Sequence, residues 1–380
     1  MMMGTYLDYA ATTPVCDAAA HAALEAMQQH FGNPSSLYRL GLDAENLIAA
    51  SRRRLAKALD CDEGCLYFTG SATEANNLAV IGGAAGNPRK GKKVVTTAIE
   101  HAAVLTPFEE LKRRGYETVL LSPDETGNYT PEQFYEAVDA NTALVSVMLV
   151  NNEVGTRLPV EAIIRAVRRK NPETLIHVDA VQGAFKLPFS IRKADPDFLS
   201  VSGHKIYAPK GVGALYIKKR VRIAPLLFGG GQEQGIRPGT ESVPLIAAFA
   251  AAVDWYLPMQ AEKLTHYERM NACLRERLAT IPEANINTPE GAVPYILNFS
   301  VDGIRSEIML HHLDSFGISV SSGSACSKGA KSHVLKAMDF SGTRADTAIR
   351  VSFGAYTEEA DMDKFADGIE NGLKRLIRTK

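Results

Sequence analysis

The sequence has almost no net charge, no long apolar run, one tryptophan and only five cysteines in 380 residues. Each shortage excludes a class of protein. A formal charge of −1 leaves no electrostatic footprint for a nucleic acid. The basic runs Arg52-Arg53-Arg54 and Arg168-Arg169-Lys170 are short, interrupted by apolar residues and offset by acidic neighbours, so they read as solvated helix faces. No uninterrupted apolar stretch approaches the roughly 20 residues of a membrane helix. Met1 to Tyr9 has neither the basic nor the apolar region of an export signal, and the expected location is cytoplasmic, with no membrane partner. An odd number of cysteines without a secretory signal argues for reduced thiols rather than a disulfide framework. Cys61 and Cys65 are close in sequence, but no second Cys or His pair nearby completes a zinc site.

What is present is enough apolar residue, 46% of the chain, to bury a large core, over a length that suggests two domains. Short β-rich runs recur at Leu66 to Phe68, Val94 to Ala98, Thr118 to Leu121, Leu144 to Val150, Leu175 to Val178, Phe198 to Val201 and Gly213 to Ile217. Helical spacing of apolar residues fills Ala102 to Arg114, Pro131 to Val138 and Val160 to Arg169. Alternation of strand and helix predicts an α/β fold with a mostly parallel sheet. After Pro244 an Ala-rich helical stretch runs to about Ala279, broken near Pro258, and strands follow at Ile296 to Ser300 and Ile349 to Phe353. The expected division is a large α/β domain over 15–257 and a smaller α+β domain made of 1–14 and 258–380.

Polar residues cluster where the predicted strands end. Thr69-Gly70-Ser71-Ala72-Thr73-Glu74 follows a strand and opens a helix, so Ala72 and Thr73 sit where free backbone N–H groups could cradle a phosphate; the same Ser-x-x-Glu is also an ordinary capping box. Glu100-His101, Asn151-Asn152-Glu153 and His177 to Gln182 fall at further strand ends, where open α/β sheets bind ligands. In Ser200-Val201-Ser202-Gly203-His204-Lys205-Ile206-Tyr207 a lysine follows a buried strand. Such a lysine is costly unless neutral or bonded, and a Schiff base to an aldehyde cofactor satisfies both conditions. An upstream carboxylate such as Asp179 would hold a pyridine nitrogen protonated and make the ring an electron sink.

With these residues in place the sequence resembles the cysteine desulfurases of the nitrogen-fixation and housekeeping iron-sulfur type, among the class V, fold type I pyridoxal-phosphate enzymes. The match runs from Tyr6-Leu-Asp-Tyr-Ala-Ala-Thr-Thr-Pro14 and Phe31-Gly-Asn-Pro-Ser35 through Ser202-Gly-His-Lys-Ile-Tyr-Ala-Pro-Lys-Gly211, Arg237-Pro-Gly-Thr240 and Ser321-Ser-Gly-Ser-Ala-Cys326 to Ile349-Arg-Val-Ser-Phe-Gly354. The resemblance implies a seven-stranded central sheet, pyridoxal 5′-phosphate on Lys205, Asp179 at the pyridine nitrogen and His101 on the ring face. It implies Gln182 and Asn152 near the phenolic oxygen and the substrate, and Thr73, Ser202 and His204 on the phosphate. Thr240 would reach in from the partner subunit of a homodimer. Arg350, assisted by Asn33, would receive the carboxylate of L-cysteine.

Cys326 lies in a small, polar, basic stretch that favours a thiolate, whereas Cys16 and Cys273, among apolar or helical neighbours, read as buried structural residues. The implied reaction turns L-cysteine into L-alanine: Lys205 moves the α-proton, His101 takes the thiol proton, and Cys326 receives the sulfur as a persulfide for an acceptor protein. The chain departs from the housekeeping pattern behind that cysteine. Only Ser327 to His333 separate Cys326 from Val334-Leu-Lys-Ala-Met, a shorter segment with less reach, which puts the usual scaffold acceptor in doubt. Ala208 and Pro238 are milder departures. A selenocysteine lyase or another class V aminotransferase would share Lys205 and Asp179 without needing Cys326. A sulfur-relay protein would need only the thiol, and a cofactor-binding regulator would normally add a DNA-binding helix-turn-helix, for which there is no room before Tyr6.

Overall fold

The computed structural model describes residues 4–323, 332–340 and 342–377. Twelve strands are found among them: β1 Thr5–Tyr6, β2 Leu66–Thr69, β3 Lys93–Thr97, β4 Glu117–Leu121, β5 Thr142–Met148, β6 Leu175–Asp179, β7 Phe198–Ser202, β8 Gly213–Ile217, β9 Ala284–Ile286, β10 Ile296–Val301, β11 Ile318–Ser319 and β12 Ala348–Ser352. Seven form one sheet in the order β2-β8-β7-β6-β5-β3-β4. The pairs β3–β4, β3–β5, β5–β6 and β6–β7 are parallel, and only β8 runs against its neighbours β2 and β7. All seven expected strands are present. β5 and β6 are buried along their whole length, as strands covered by helices on both faces must be, which is why they read as continuous apolar runs rather than alternating ones.

One consequence of this topology controls the rest. Six strands point the same way, so the loops after β2, β3, β5, β6 and β7 open at a single edge of the sheet. β8 starts at that edge, paired through Gly213 with both Thr69 and Ser202. A Cβ on Gly213 would stand 2.8 Å from the Ser71 carbonyl carbon and 3.0 Å from Ala72 N. Glycine is therefore required for β8 to lie against the loop that follows β2.

The helix Val243–Tyr256 is apolar all round because it is an interior helix, packed against Asp17–Gln29 and Arg39–Leu59. With Gln260–Ala279 it forms a helical stretch long and apolar enough to cross a membrane, yet Ala248, Phe249, Ala250 and Val253 are enclosed in the core. The second half adds a three-stranded antiparallel sheet, β12-β10-β9, and β1 pairs in parallel with β11. β1, β9 and β11 escape sequence reading because two or three residues are too few to show a period.

The basic runs are only partly solvated faces. Arg53, Arg169 and Lys170 are exposed, but Arg52 grips the buried Glu233 through both terminal nitrogens at 2.8 and 2.7 Å, and Arg168 Nη2 meets Asp197 Oδ2 at 2.6 Å. These carboxylates lie far off in sequence, so local charge pattern could not reveal them.

His177 in β6 is fully enclosed, with Nδ1 2.8 Å from Ser146 Oγ on β5 and Nε2 3.0 Å from Ser200 Oγ on β7. Burial drives its pKa down to about 3, so the ring is neutral in the folded chain. A depressed folded pKa means stability that is present above the unfolded value near 6.5 and lost as pH falls toward 3. Each unit of separation is worth about 1.4 kcal/mol. His177→Gln is expected to flatten the fall in urea-unfolding free energy between pH 6.5 and 4, measured by tryptophan fluorescence; an unchanged slope would remove His177 from the acid response.

Candidate active site

The shared sheet edge holds a cavity of about 220 Å3 lined by Ala10, Ala11, Ser71, Ala72, Thr73, Asn76, His101, Ala103, Met148, Val150, Asn152, Asp179, Val181, Gln182, Ser202, His204, Lys205 and Arg350. This is below the roughly 300–1,000 Å3 of drug-sized pockets and suits one substituted ring rather than an extended molecule. Ten of the residues expected from sequence meet here: Ala72, Thr73, His101, Asn152, Asp179, Gln182, Ser202, His204, Lys205 and Arg350.

The helix that begins at Ala72 continues through a π-helical turn, Leu78–Gly82, to Gly86. Its first N–H groups have no intrahelical acceptor. Ser71 Oγ accepts from Glu74 N at 3.2 Å, so the capping interaction is real, and Ala72 and Thr73 line the cavity beside it. Glu74 does not close the reciprocal box; its Oε2 takes Gly70 N at 2.8 Å and its Oε1 takes Arg237 Nε at 2.9 Å. Arg237 thereby ties the Arg237-Pro-Gly-Thr240 segment to the loop after β2.

Asp179 ends β6 with its carboxylate aimed by two donors: Asn76 Nδ2 at 2.8 Å on Oδ2 and Val181 N at 3.0 Å on Oδ1. Asn76 was not expected from sequence; it lies one turn past Ala72, and nothing local marks its partner. Lys205 closes the short turn after β7, where its Nζ donates to Ala10 O at 2.6 Å and Ala11 O at 2.7 Å. The following Tyr207 has φ 66, a conformation costing about 1–3 kcal/mol. Thr13 Oγ1 accepts from its N–H at 2.8 Å, and its ring stacks on Tyr256.

Both cavity imidazoles are held neutral. Burial, then Lys205, pushes His204 down to about 3, and its Nδ1 lies 3.2 Å from Thr12 Oγ1. Burial also lowers His101, opposed by Asp179 and reinforced by Lys205. His101 Nδ1 accepts from Ala103 N at 3.0 Å, capping the helix Ala102–Arg113, which puts the ring proton on Nε2. Proton uptake by His101 therefore requires the ring to give up that cap, a constraint the motif alone does not show. Behind it, burial and the charge of Asp179 raise Glu100 to about 8, so this carboxyl is largely protonated near neutrality.

Arg350 in β12 is 1% exposed. Its Nη2 meets Asp8 Oδ1 at 2.7 Å, its Nη1 donates to Asn152 O at 2.8 Å, and its Nε is buried without a hydrogen-bond partner. A buried guanidinium among the lining residues suits a carboxylate. Asp8 is the partner that sequence reading missed, since a lone Asp in a turn carries no signal of its own.

Asn33 and Thr240 do not line this cavity. Asn33 is exposed, with Oδ1 accepting Ser35 N at 3.0 Å in its own turn. Thr240 is exposed on the same chain. Cys326 lies outside the described residues. Its described flanks converge on the cavity rim: Ser321 exchanges backbone bonds with Arg350, Ser332 Oγ donates to Glu153 Oε2, and His333 Nε2 lies 2.9 Å from Glu100 O.

A family model described as aminotransferase class-V matches residues 5–365. The chain belongs to the class-V aminotransferase family. Similar proteins include one from Archaeoglobus fulgidus named cysteine desulfurase IscS 1, 35% identical over 374 residues that cover 98% of this chain and 97% of the relative. Among solved structures, a NifS-like protein superposes with a TM-score of 0.94 at 38% identity, covering 98% of this chain and 100% of that one. SspA in complex with cysteine gives 0.80 at 30% identity over 93% and 100%. The mixed α/β architecture with its mostly parallel central sheet is thus the class-V, fold type I arrangement.

The Asp8–Arg350 pair can be tested directly. Asp8→Asn keeps the shape and removes the charge that compensates a buried guanidinium. It is expected to lower the unfolding free energy by about 2–3 kcal/mol in urea titration, somewhat under the cost of breaking a fully buried pair. An effect within 0.5 kcal/mol, about that of an ordinary surface substitution, would show that Arg350 does not depend on Asp8.

Proposed function

We propose that the protein is a pyridoxal-phosphate-dependent cysteine desulfurase, converting L-cysteine to L-alanine with the sulfur left as a persulfide on Cys326. The observation that carries this reading is the meeting of Lys205, Asp179, His101 and Arg350 around one ring-sized cavity, with the flanks of the Cys326 segment anchored at its rim. The names of the class-V relatives support it.

The residues fit the cofactor by their chemistry. A primary amine, a carboxylate held by two donors and the open end of a helix stand in one cavity, and they match an aldehyde, a pyridine nitrogen and a phosphate. When bound there, pyridoxal phosphate supplies an electron sink that stabilises negative charge at the substrate α-carbon. Lys205 would hold it covalently and, once displaced by the substrate amine, carry the α-proton on Nζ. Asp179, fixed by Asn76 and Val181 N, would keep the pyridine nitrogen protonated. Ala72, Thr73, Ser202 and His204 would receive the phosphate, with the His204 ring contributing as a neutral donor. Asn152 would face the substrate, and the Arg350 guanidinium would take the substrate carboxylate.

Sulfur transfer balances without an outside oxidant. The substrate C–S bond breaks, an S–S bond forms on Cys326, and the carbon becomes a methyl group while sulfur is oxidised to the persulfide level. The other cysteines are poor candidates for this role. Burial raises the thiol pKa of Cys16, Cys65 and Cys273, pushes Cys61 up to about 12, and none of the four lines the cavity.

We further propose a homodimer in which Thr240 completes the partner's phosphate site. Supporting this are the exposure of Thr240, its tether through Arg237 to the loop after β2, and the exposed apolar side chains Met27, Phe31, Leu37, Leu227 and Phe228. A sulfur-acceptor protein would then draw the persulfide from Cys326.

Cys326→Ala is expected to cut sulfide release from L-cysteine with a dithiol by about 10³-fold or more while the visible spectrum of the bound cofactor persists. Full retained activity would overturn the nucleophile. Lys205→Ala should abolish borohydride-fixed cofactor on that peptide, and a surviving linkage mapped elsewhere would overturn the lysine. Selenide release from selenocysteine, run alongside, separates a lyase from a desulfurase.

A further inference from the structure

Lys186 is a cation where a surface residue is not possible. It is 7% exposed, and no carboxylate pairs with it among the described residues. Its Nζ donates to Gln182 Oε1 at 3.3 Å and stands 5.1 Å from the centroid of the Tyr295 ring. Tyr295 in turn donates its hydroxyl to Gln182 O at 2.9 Å. Burial, with the charges of Lys205 and Arg350, pulls the ammonium down to about 7. An apolar side chain would fill this space without that desolvation cost, so the amine calls for a role in what it touches.

What it touches is the amide of Gln182, a cavity residue whose two ends are alike in shape and opposite in chemistry. A backbone carbonyl can only accept, so the end facing Ala10 O is the amide nitrogen and the end facing Lys186 is Oε1. The other end, Nε2, donates to Ala10 O at 2.8 Å, the same carbonyl that accepts Lys205 Nζ at 2.6 Å. Nε2 carries a second N–H, and Ala10 O is the acceptor its first one uses. We propose that Lys186 is a positioning residue that locks the Gln182 amide with its N–H donors toward the cavity, where the second donates to an anionic ring oxygen of the bound cofactor. A cation on Oε1 also polarises the amide and strengthens its N–H as a donor. Without it, Oε1 would be a buried acceptor lacking a partner, and the side chain would leave this rotamer to satisfy it. This inference rests on the pyridoxal-phosphate reading above and assigns to it a residue that does not itself line the cavity.

The test is a double-mutant cycle on cofactor affinity, separate from turnover. Apoenzymes of the wild type, Lys186→Met, Gln182→Ala and the double variant are titrated with pyridoxal phosphate and followed by visible absorbance. Lys186→Met is expected to weaken binding about tenfold when Gln182 is present, the loss of roughly one oriented hydrogen bond, and by less than about twofold in the Gln182→Ala background. It should also move the bound cofactor's absorption maximum in the same direction as Gln182→Ala. Lys186→Gln, an uncharged donor, should recover part of the loss, again only beside Gln182, and it serves if the Met variant does not fold. Equal losses in both backgrounds, or none in either, would overturn the positioning role while leaving the cofactor reading intact. Failure of the wild-type apoenzyme to take up pyridoxal phosphate would overturn both.

Discussion

The Ala10 carbonyl joins the N-terminal segment to the chemistry. It accepts Lys205 Nζ and Gln182 Nε2 at once, at 2.6 and 2.8 Å, using both lone pairs on two side chains that come from different loops of the sheet. The segment that presents it is pinned on either side. Ala10 N donates to Ser352 Oγ at 2.8 Å, Leu7 N to Ser319 O at 2.9 Å, and Thr13 N to His204 O at 3.0 Å. Loosening this short stretch would release the lysine, the glutamine and, through Asp8, the arginine together. A loop so placed is held by its ends rather than by its own secondary structure, and each end belongs to a different sheet.

Cationic and anionic side chains crowd the cavity and its walls. Lys205 and Arg350 line it and Lys186 stands behind Gln182, while the carboxylates of Asp8, Asp179 and the buried Glu153 lie nearby and burial lowers the pKa of both imidazoles. Charges of both signs lie close together in a space shielded from water, where fixed charges act with little screening. A phosphate would meet the helix start at Ala72 and Thr73, and a carboxylate would meet Arg350 elsewhere on the lining. The same burial that neutralises His101 and His204 leaves them able to donate without adding to the repulsion among the cations.

Stability and site geometry are tied through a few costly features. Tyr207 holds a left-handed backbone conformation two residues after Lys205 because its ring is packed against Tyr256 and Trp255 and its hydroxyl accepts Ala355 N at 2.6 Å. Gly213 lets β8 approach Ser71 and Ala72 where any side chain would collide. Strain and close approach of this kind persist only where surrounding packing over-determines them, and here that packing is the aromatic cluster and the central sheet.

The sequence by itself determined the seven strands of the sheet, the edge at which their loops gather and nine of the lining residues, because buried parallel strands and the loops after them leave local signatures, whereas Arg350, on the antiparallel sheet, came from the family resemblance alone. Lys205 and Asp179 were legible for that reason: Asp179 is the last residue of its strand and Lys205 lies in the turn that follows the next one. Tertiary structure alone decided the pairings Asp8–Arg350, Asn76–Asp179 and Lys186–Gln182, and the Ala103 cap that sets the proton of His101. It also turned Arg52 and Arg168 from expected surface charges into partners of the buried Glu233 and Asp197, and it left Asn33 outside the cavity in its own turn. Periodicity and motif spacing report what a residue's neighbours in the chain require. The orientation of an amide, the protonation of a buried ring and the neutralisation of a guanidinium are set by groups that only folding brings within hydrogen-bond reach.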